Sequence, residues 1–275
     1  MPTDVSATEV LRAAVAHAGA ACAAAGVEVH PAAPSDLDDV IGVFTTTWGP
    51  GRSPDWPHLR AMLQAGATVL VARDADGPVG ATYGFLGWNG GLHLHSHMNA
   101  VLPRARGRGA GLALKLVQRA DCLEHGVDEM RWTFDPLIRR NARMNLVRLG
   151  GEVVEVLPDF YGELRDAISG TDHSDRFEVR WRLASPRVRR ALDRVPPPAW
   201  HGDTGFALVA DYERLRADAP AEAARHRDAA REAFAAAVDA GLRPELDAPG
   251  DYVFTADDPD RAAGADDEPT APEGS

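Results

Sequence analysis

The chain has 275 residues, 45% of them hydrophobic, enough for one large domain or a domain with a subdomain. A formal net charge of −12 argues against a general nucleic-acid surface, and no apolar run reaches the ~20 residues needed to cross a bilayer. Two cysteines far apart, Cys22 and Cys122, provide no disulfide framework and suit a reducing, cytoplasmic setting.

In chain order, Leu11, Val15 and Ala18 share one stripe of a helix expected over residues 5–25. A short strand, Val27–His30, ends at Pro31. Ser35 is placed to cap a helix through Asp36–Phe44, because its hydroxyl can accept an orphan N–H bond. Trp48-Gly-Pro-Gly51 breaks the chain, and a second helix follows around Trp56–Gln64. Ala67–Arg73 and Val79–Phe85 read as strands joined by the turn Asp74-Ala-Asp-Gly77. The run Gly91-Leu-His-Leu-His-Ser-His-Met98 opens a further strand that continues to Val101. Alternation along it would put His93, His95 and His97 on one face, and Leu92, Leu94, Ser96 and Met98 on the other.

Pro103–Gly111 is a basic, glycine-rich loop, followed by a helix over Leu112–Glu124 that stops at His125-Gly126. Asp128–Phe134 reads as a strand, Ile138–Leu149 as a helix stopped by Gly150-Gly151, and Glu152–Leu157 and Phe177–Leu183 as two more strands. The order is that of a mixed α/β fold. Pro196-Pro-Pro198 marks a boundary, beyond which lie a helix over Ala219–Ala240 and a strand at Tyr252–Phe254. The expected organisation is an N-terminal helix (1–26), a main domain (27–184), a small helix-plus-strand extension (185–255) and a disordered acidic tail (256–275). The tail's Asp, Glu, Pro, Ala and Gly cannot bury enough apolar area to offset its ordering entropy.

A strand, then Arg106-Gly-Arg-Gly-Ala-Gly111, then a helix is the arrangement of an anion site. Glycines let backbone N–H groups turn inward, and the helix start adds positive potential. A dinucleotide fingerprint fits poorly, since Leu112 stands where its third glycine belongs. A Walker loop fits no better, because Gly111 is followed by Leu-Ala. The histidine strand leaves three readings open: a zinc site completed by a carboxylate or water, a proton-transfer site, or ordinary structural imidazoles.

Arg106-Gly-Arg-Gly109-Ala-Gly111 resembles the R/Q-x-x-G-x-G/A coenzyme A loop of the GNAT superfamily of acyl-CoA N-acyltransferases. Around it, His95-Ser-His-Met98, Val101-Leu-Pro103, Trp132-Thr-Phe-Asp-Pro-Leu137, Asn141-Ala142, Asn145-Leu146, Leu149-Gly150 and Tyr161-Gly-Glu163 are similar to a bacterial GNAT subgroup. Some members of that subgroup acylate amino acids. The resemblance covers roughly Val27–Leu183 and continues more loosely through His226–Arg231 to Gly250–Val253.

It implies a mixed central sheet splayed between its fourth and fifth strands, here Leu92–Val101 and Asp128–Phe134, with the pantetheine arm between them. Val101 ends the fourth strand, and the backbone amides of Arg106, Gly107, Arg108, Gly109, Ala110 and Gly111 would hold the pyrophosphate. Asn141 and Asn145, one helical turn apart, could donate to coenzyme A. His97 and His95 are read as general base or acceptor-binding residues, and His93 as structural. Asp135 ends the fifth strand, where it either binds an ammonium or simply forms the turn before Pro136. Many GNAT enzymes carry a tyrosine four residues before the glycine that ends the next helix, to protonate the leaving thiolate. Here that position is Leu146, which leaves Tyr161 as the substitute acid or, alternatively, an aromatic anchor. Arg139, Arg140 and Arg143 form either a solvated basic face or contacts to an acidic acyl group or the 3′-phosphate of coenzyme A.

The implied activity is direct transfer of an acyl group from acetyl-CoA, succinyl-CoA or another acyl-CoA to the amine of a small molecule such as an amino acid. No metal, nucleic acid or membrane is required, and a homodimer is compatible. Two alternatives stand beside it: an inactive coenzyme A-binding module, and a zinc-dependent hydrolase using His93, His95 and His97.

Overall fold

The computed structural model describes residues 6–162 and 172–262. The chain divides into two compact units, the first comprising Met1–Thr133, Tyr161–Ser174 and Arg182–Ala184, the second Phe134–Phe160, Asp175–Trp181 and Ser185–Ser275. No helix among the described residues is long and apolar enough to cross a membrane.

In the first unit, helix α1 (Ala7–Ala25) starts in a capping box between Ser6 and Glu9 and ends at Gly26, whose φ of 64° the left-handed stop requires. Strand β1 (Glu28–Pro31), helices α2 (Leu37–Trp48) and α3 (Trp56–Gln64) and strands β2 (Val69–Asp74), β3 (Gly77–Gly87) and β4 (His93–Val101) follow. Helix α4 (Ala110–Glu124) then leads into strand β5 (Glu129–Phe134). Ser35 does not cap α2. Pro34 opens a 3-10 turn that takes Ser35 inside it, and α2 begins at Leu37 without a side-chain cap. Asp36 instead accepts the N–H of Ala33 at 2.8 Å and pairs with Arg73 at 2.7 Å.

The strands β1 to β4 form an antiparallel meander, and β5 joins β4 in parallel. Alternation along β2 divides its apolar residues between two cores. Val69 and Val71 pack with Leu37, Val40, Phe44 and Leu59 of α2 and α3, while Leu70 and Ala72 pack with Val79, Ala105 and Leu114 on the α4 side. The expected α/β fold, with a mixed sheet splayed between its fourth and fifth strands, is present.

The splay has a local cause. Tyr83 pairs with Met98 and Phe85 with His95, so two steps along β3 match three along β4. One extra residue therefore sits in β4 between His95 and Met98, a bulge that breaks strict alternation. Met98, expected opposite His97, packs on the α2-side core beside Tyr83, whose ring centroid is also 5.5 Å from that of His97. Among the described residues, the parallel register of β4 with β5 is confined to Leu94↔Met130 and His95↔Arg131, at the base of the bulge. Gly84 faces the extra residue so closely that a Cβ there would lie 2.7 Å from the His95 carbonyl oxygen.

In the second unit, helix α5 (Arg139–Ala142) runs into a π-helical turn over Arg143–Arg148. Strands β6 (Glu152–Leu157) and β7 (Arg176–Arg182) pair antiparallel, followed by helix α6 (Pro186–Leu192). Strand β8 (Thr204–Phe206), helices α7 (Tyr212–Asp218) and α8 (Pro220–Asp239) and strands β9 (Arg243–Leu246) and β10 (Tyr252–Thr255) complete it, the last three strands forming one antiparallel sheet in the order β8-β10-β9. The extension is larger than one helix and one strand. Gly205 in β8 and Pro244 in β9 suppress the strand signal, and Gly205 is needed because a Cβ would meet the Tyr252 carbonyl oxygen at 2.2 Å. Phe177, Phe234 and Tyr252 pack edge to face, with centroids 4.7, 5.4 and 5.6 Å apart. The first residues of the expected tail are held by hydrogen bonds: Asp257 accepts the His201 N–H at 2.9 Å, Asp260 accepts the Arg187 N–H at 3.1 Å, and the Arg261 carbonyl accepts from Arg190 at 2.8 Å. Residues 263–275 lie outside the described residues.

Gly84→Ala should lower the stability of the full chain by about 1–3 kcal/mol, the usual cost of overpacking against backbone that cannot yield. Urea unfolding checks this; unchanged stability would mean the bulge relaxes freely.

Candidate active site

The side chains that β4 presents at the bulge form the site. The His95 and His97 rings lie 5.9 Å apart, and the ring of Phe85 lies 5.3 Å from the first and 5.9 Å from the second. Tyr83 adds a second aromatic wall, with His58 of α3 packed edge-on at 6.3 Å. Burial lowers the pKa of His97, helped by the repulsion of His58. Burial also lowers that of His95, to about 4, with the charges of His97, His93 and Lys115 adding to it. Both imidazoles are therefore neutral at pH 7 and able to accept a proton. Burial, and then the neighbouring Tyr161, raises the pKa of Tyr83. His58 and Tyr83 carried no distinctive spacing in the sequence; their roles arise only because α3 and β3 fold against the bulge.

His93 does not join its two neighbours. Its Nδ1 donates to the Gly91 carbonyl at 2.8 Å, and its ring covers Gly87 so closely that a Cβ there would lie 2.8 Å from Nε2. Among the described residues, no group of three or more His, Cys, Asp or Glu is arranged to hold a metal ion. The zinc-hydrolase alternative therefore loses its ligand set.

The glycine loop lies between β4 and α4 of the same unit. Gly107 (φ 76°) and Gly109 (φ 98°) occupy the left-handed region, and Gly109 is the N-cap of α4 without any side-chain cap. The first-turn amides of α4, those of Ala110 and Gly111 among them, point out of the helix with no intrahelical acceptor. Arg106 Nε donates to the Val101 carbonyl at 3.2 Å, and Asn99 donates to the Gly111 carbonyl at 3.3 Å, which fixes the loop to the end of β4. Arg104 is drawn away by Asp74 at 2.7 Å. Arg108 is exposed beside the turn. This cradle of outward amides and positive potential fits a pyrophosphate.

At the base of the splay, Arg131 of β5 donates to the Asn89 carbonyl at 3.1 Å and the Gly90 carbonyl at 3.3 Å, and pairs with Glu129 at 2.6 Å. Tyr161 belongs to the first unit. Its hydroxyl is 3.3 Å from that of Thr133, and its N–H donates to Ser174 Oγ at 2.9 Å.

On the opposite face of the bulge is a residue the sequence reading passed over. Lys115 of α4 is 7% exposed, and its Nζ donates to Ser96 Oγ at 2.6 Å. Lys115, Gln118, Arg119 and Cys122 are all buried, and they follow the same helical period as the apolar stripe of α4. That shared period was the available signal.

The remaining candidates belong to the second unit. Asp135 receives a two-pronged hydrogen bond from Arg227, at 3.0 and 2.9 Å, and its Oδ1 caps the Leu137 N–H at 3.0 Å. Its carboxylate is thus committed to an arginine rather than offered to an ammonium. Asn145 is buried in the π-helical turn, where its carbonyl accepts the Gly151 N–H at 2.8 Å. Asn141, on α5 just before the turn, is only partly buried, so the two asparagines differ in exposure. Arg140 and Arg143 are exposed, as a solvated basic face requires, whereas Arg139 is half-buried among protein partners. Arg139 binds Asp251 and the Leu208 and Pro249 carbonyls, and Arg140 binds Glu213.

No family model matches the chain, and no curated protein does. Solved structures do. They include an N-acetyltransferase from Staphylococcus aureus Mu50 (11% identity, TM-score 0.46, 57% of this chain and 98% of that one). A GNAT family acetyltransferase from Elizabethkingia anophelis with acetyl-CoA bound matches at 10% identity and a TM-score of 0.44, over 57% of this chain and 98% of that one. Naa20 from Chaetomium thermophilum in complex with a bisubstrate analogue matches at 19% identity and a TM-score of 0.45, over 61% and 90%.

Asp135→Ala should destabilise the chain by about 3 kcal/mol, because the buried Arg227 guanidinium loses its two-pronged partner and keeps the longer 3.9 Å contact to Asp175. Chemical denaturation measures this. Normal stability with lost activity would restore Asp135 to a chemical role.

Proposed function

We propose that this chain is an acyl-CoA-dependent N-acyltransferase of the GNAT type, acting on a small amine. One observation carries the reading. A glycine loop with outward amides lies directly after a bulged strand that parts from its parallel neighbour and presents two neutral imidazoles. The loop amides of Gly107–Gly111, with Val101 before them, would hold the pyrophosphate of coenzyme A; the Arg106 N–H is already donated to the Pro103 carbonyl at 3.3 Å. The gap between β4 and β5 would take the pantetheine arm.

In this reading the acceptor amine attacks the thioester carbon, and the C–N bond forms as the C–S bond breaks. His97 takes the proton from the amine, directly or through water, and His95 helps orient the acceptor. The thiolate leaves with a pKa near 8.5, so protonation is helpful but not obligatory; Tyr161, whose hydroxyl lies 3.3 Å from that of Thr133 on β5, is the candidate acid. Much of the rate would come from holding two substrates in register. Acetyl-CoA is the donor proposed first, with succinyl-CoA tested beside it, and amino acids are the first acceptors to test.

Gly109→Val forces a β-branched residue into a left-handed conformation at the N-cap of α4. Coenzyme A affinity should fall at least tenfold, or about 1.4 kcal/mol, by calorimetry. Unchanged affinity in a folded variant removes the loop from the site. His97→Ala should cost about a hundredfold or more in kcat/KM. Because burial lowers the His97 pKa, the wild-type rate should hold through neutral pH and fall only as the pH drops through that lowered value, below the usual 6.5. The acid limb should flatten in the variant. Full activity with an unaltered acid limb would exclude His97 as the base.

A further inference from the structure

Lys115 is the only lysine in the chain; every other member of the 29 Lys+Arg residues is an arginine. It is also buried, and among the described residues no carboxylate pairs with it. Its Nζ donates to Ser96 Oγ at 2.6 Å and lies 4.0 Å from the centroid of the Trp132 ring. Ser96 passes the chain on, donating to Gln118 Oε1 at 2.6 Å. Ser96 belongs to the bulge of β4, and Trp132 stands on β5 one residue beyond the last parallel pair. A single side chain from α4 therefore touches both strands where they part.

The choice of lysine has a physical reason. A guanidinium keeps its charge at any ordinary pH, and burying it without a carboxylate is prohibitive. An amine can shed its proton, and burial pulls Lys115 down to about 7. The titratable groups facing it do not supply an anion. Burial pushes the Cys122 thiol on α4 up to about 12, and His95 on β4 is neutral. The uncharged amine still donates to Ser96 and still fills the space over Trp132.

We propose that Lys115 is a positioning residue for acyl transfer, tying Ser96 of the bulge to Trp132 of β5 and so setting how far the two strands separate. The acyl-transfer part of this rests on the reading in the previous section; the tie between the strands does not.

Lys115→Met keeps the length of the side chain and removes Nζ. In the full chain, hydrogen exchange of the segments His93–Val101 and Glu129–Phe134 should accelerate about tenfold or more, while α1 and α2 keep their protection. For acetyl transfer, kcat should fall about tenfold or more with KM for acetyl-CoA changed less than about threefold, the pattern of a misplaced rather than a missing substrate. Ser96→Ala should give a similar drop in kcat, and the double variant little further loss, since both act through one contact. If Lys115→Met does not fold, Ser96→Ala carries the same two readouts. Unchanged exchange and kcat in a folded variant overturn the proposal. Exchange accelerated evenly through the whole unit also overturns it, because that marks general instability. A wild-type protein that does not bind coenzyme A brings down the acyl-transfer reading and the positioning role with it, while the exchange pattern still decides whether Lys115 ties the strands.

Discussion

One inserted residue in β4 governs the first unit. A β-ladder can absorb an extra residue only by leaving it unpaired and bending the strand, and the local twist rises with it. The antiparallel neighbour β3 accommodates this because Gly84 has no side chain where the His95 carbonyl approaches. The parallel neighbour β5 has no such adjustment, and its register with β4 is recorded at Leu94 and His95. The gap between the strands and the turn of Met98 onto the α2-side core go with the same insertion, while His95 and His97 on one face and Ser96 on the other keep the ordinary two-residue alternation. The glycine loop then begins where β4 ends, so strand geometry and anion-binding amides are fixed by one continuous stretch of chain.

The two units are held by different physics. In the first, alternation on β2 feeds two apolar cores, and burial of Leu37, Phe44, Leu59, Leu70 and Leu114 provides most of the cohesion. The second combines an aromatic cluster with arginine–carboxylate pairs, some buried and some partly exposed. Arg187 and Glu245 are 4% and 2% exposed, Arg227 grips Asp135, and Arg231 bridges Asp159 and Asp175 at 2.8 and 2.6 Å. Such pairs add little net stability over apolar packing, yet losing one partner is costly. They specify which segment lies against which.

Most elements of the first unit were legible because their periodicity is clean and their stops are glycines: Gly26, Gly126 and the Asp74–Gly77 turn each do locally what the fold requires. The loop Arg106–Gly111 was legible for the same reason. The orientation of Met98 was not, because a bulge shifts the two-residue period without any residue type announcing it. Asp135 misled for a different reason: a carboxylate at a strand end looks alike whether it faces a ligand or an arginine 92 residues further along the chain. In the second unit, β8 and β9 contain the residues that weaken a strand reading, and what makes them strands is pairing to β10, a non-local fact. The π-helical turn at Arg143–Arg148 is equally silent, since the sequence there satisfies an ordinary helix.

The solitary lysine has one more consequence, in covalent chemistry. Activated acyl groups modify amines without any catalyst, and this chain offers such reagents no ε-amine at its surface. The one it has is screened by α4 and the sheet, yet its lowered pKa would make it a ready nucleophile once uncovered. Amine-directed labelling of the side chains thus becomes a single-channel clock. Each modified molecule records one occasion on which α4 lifted from the strands, and the pace of labelling measures how often that part of the molecule breathes.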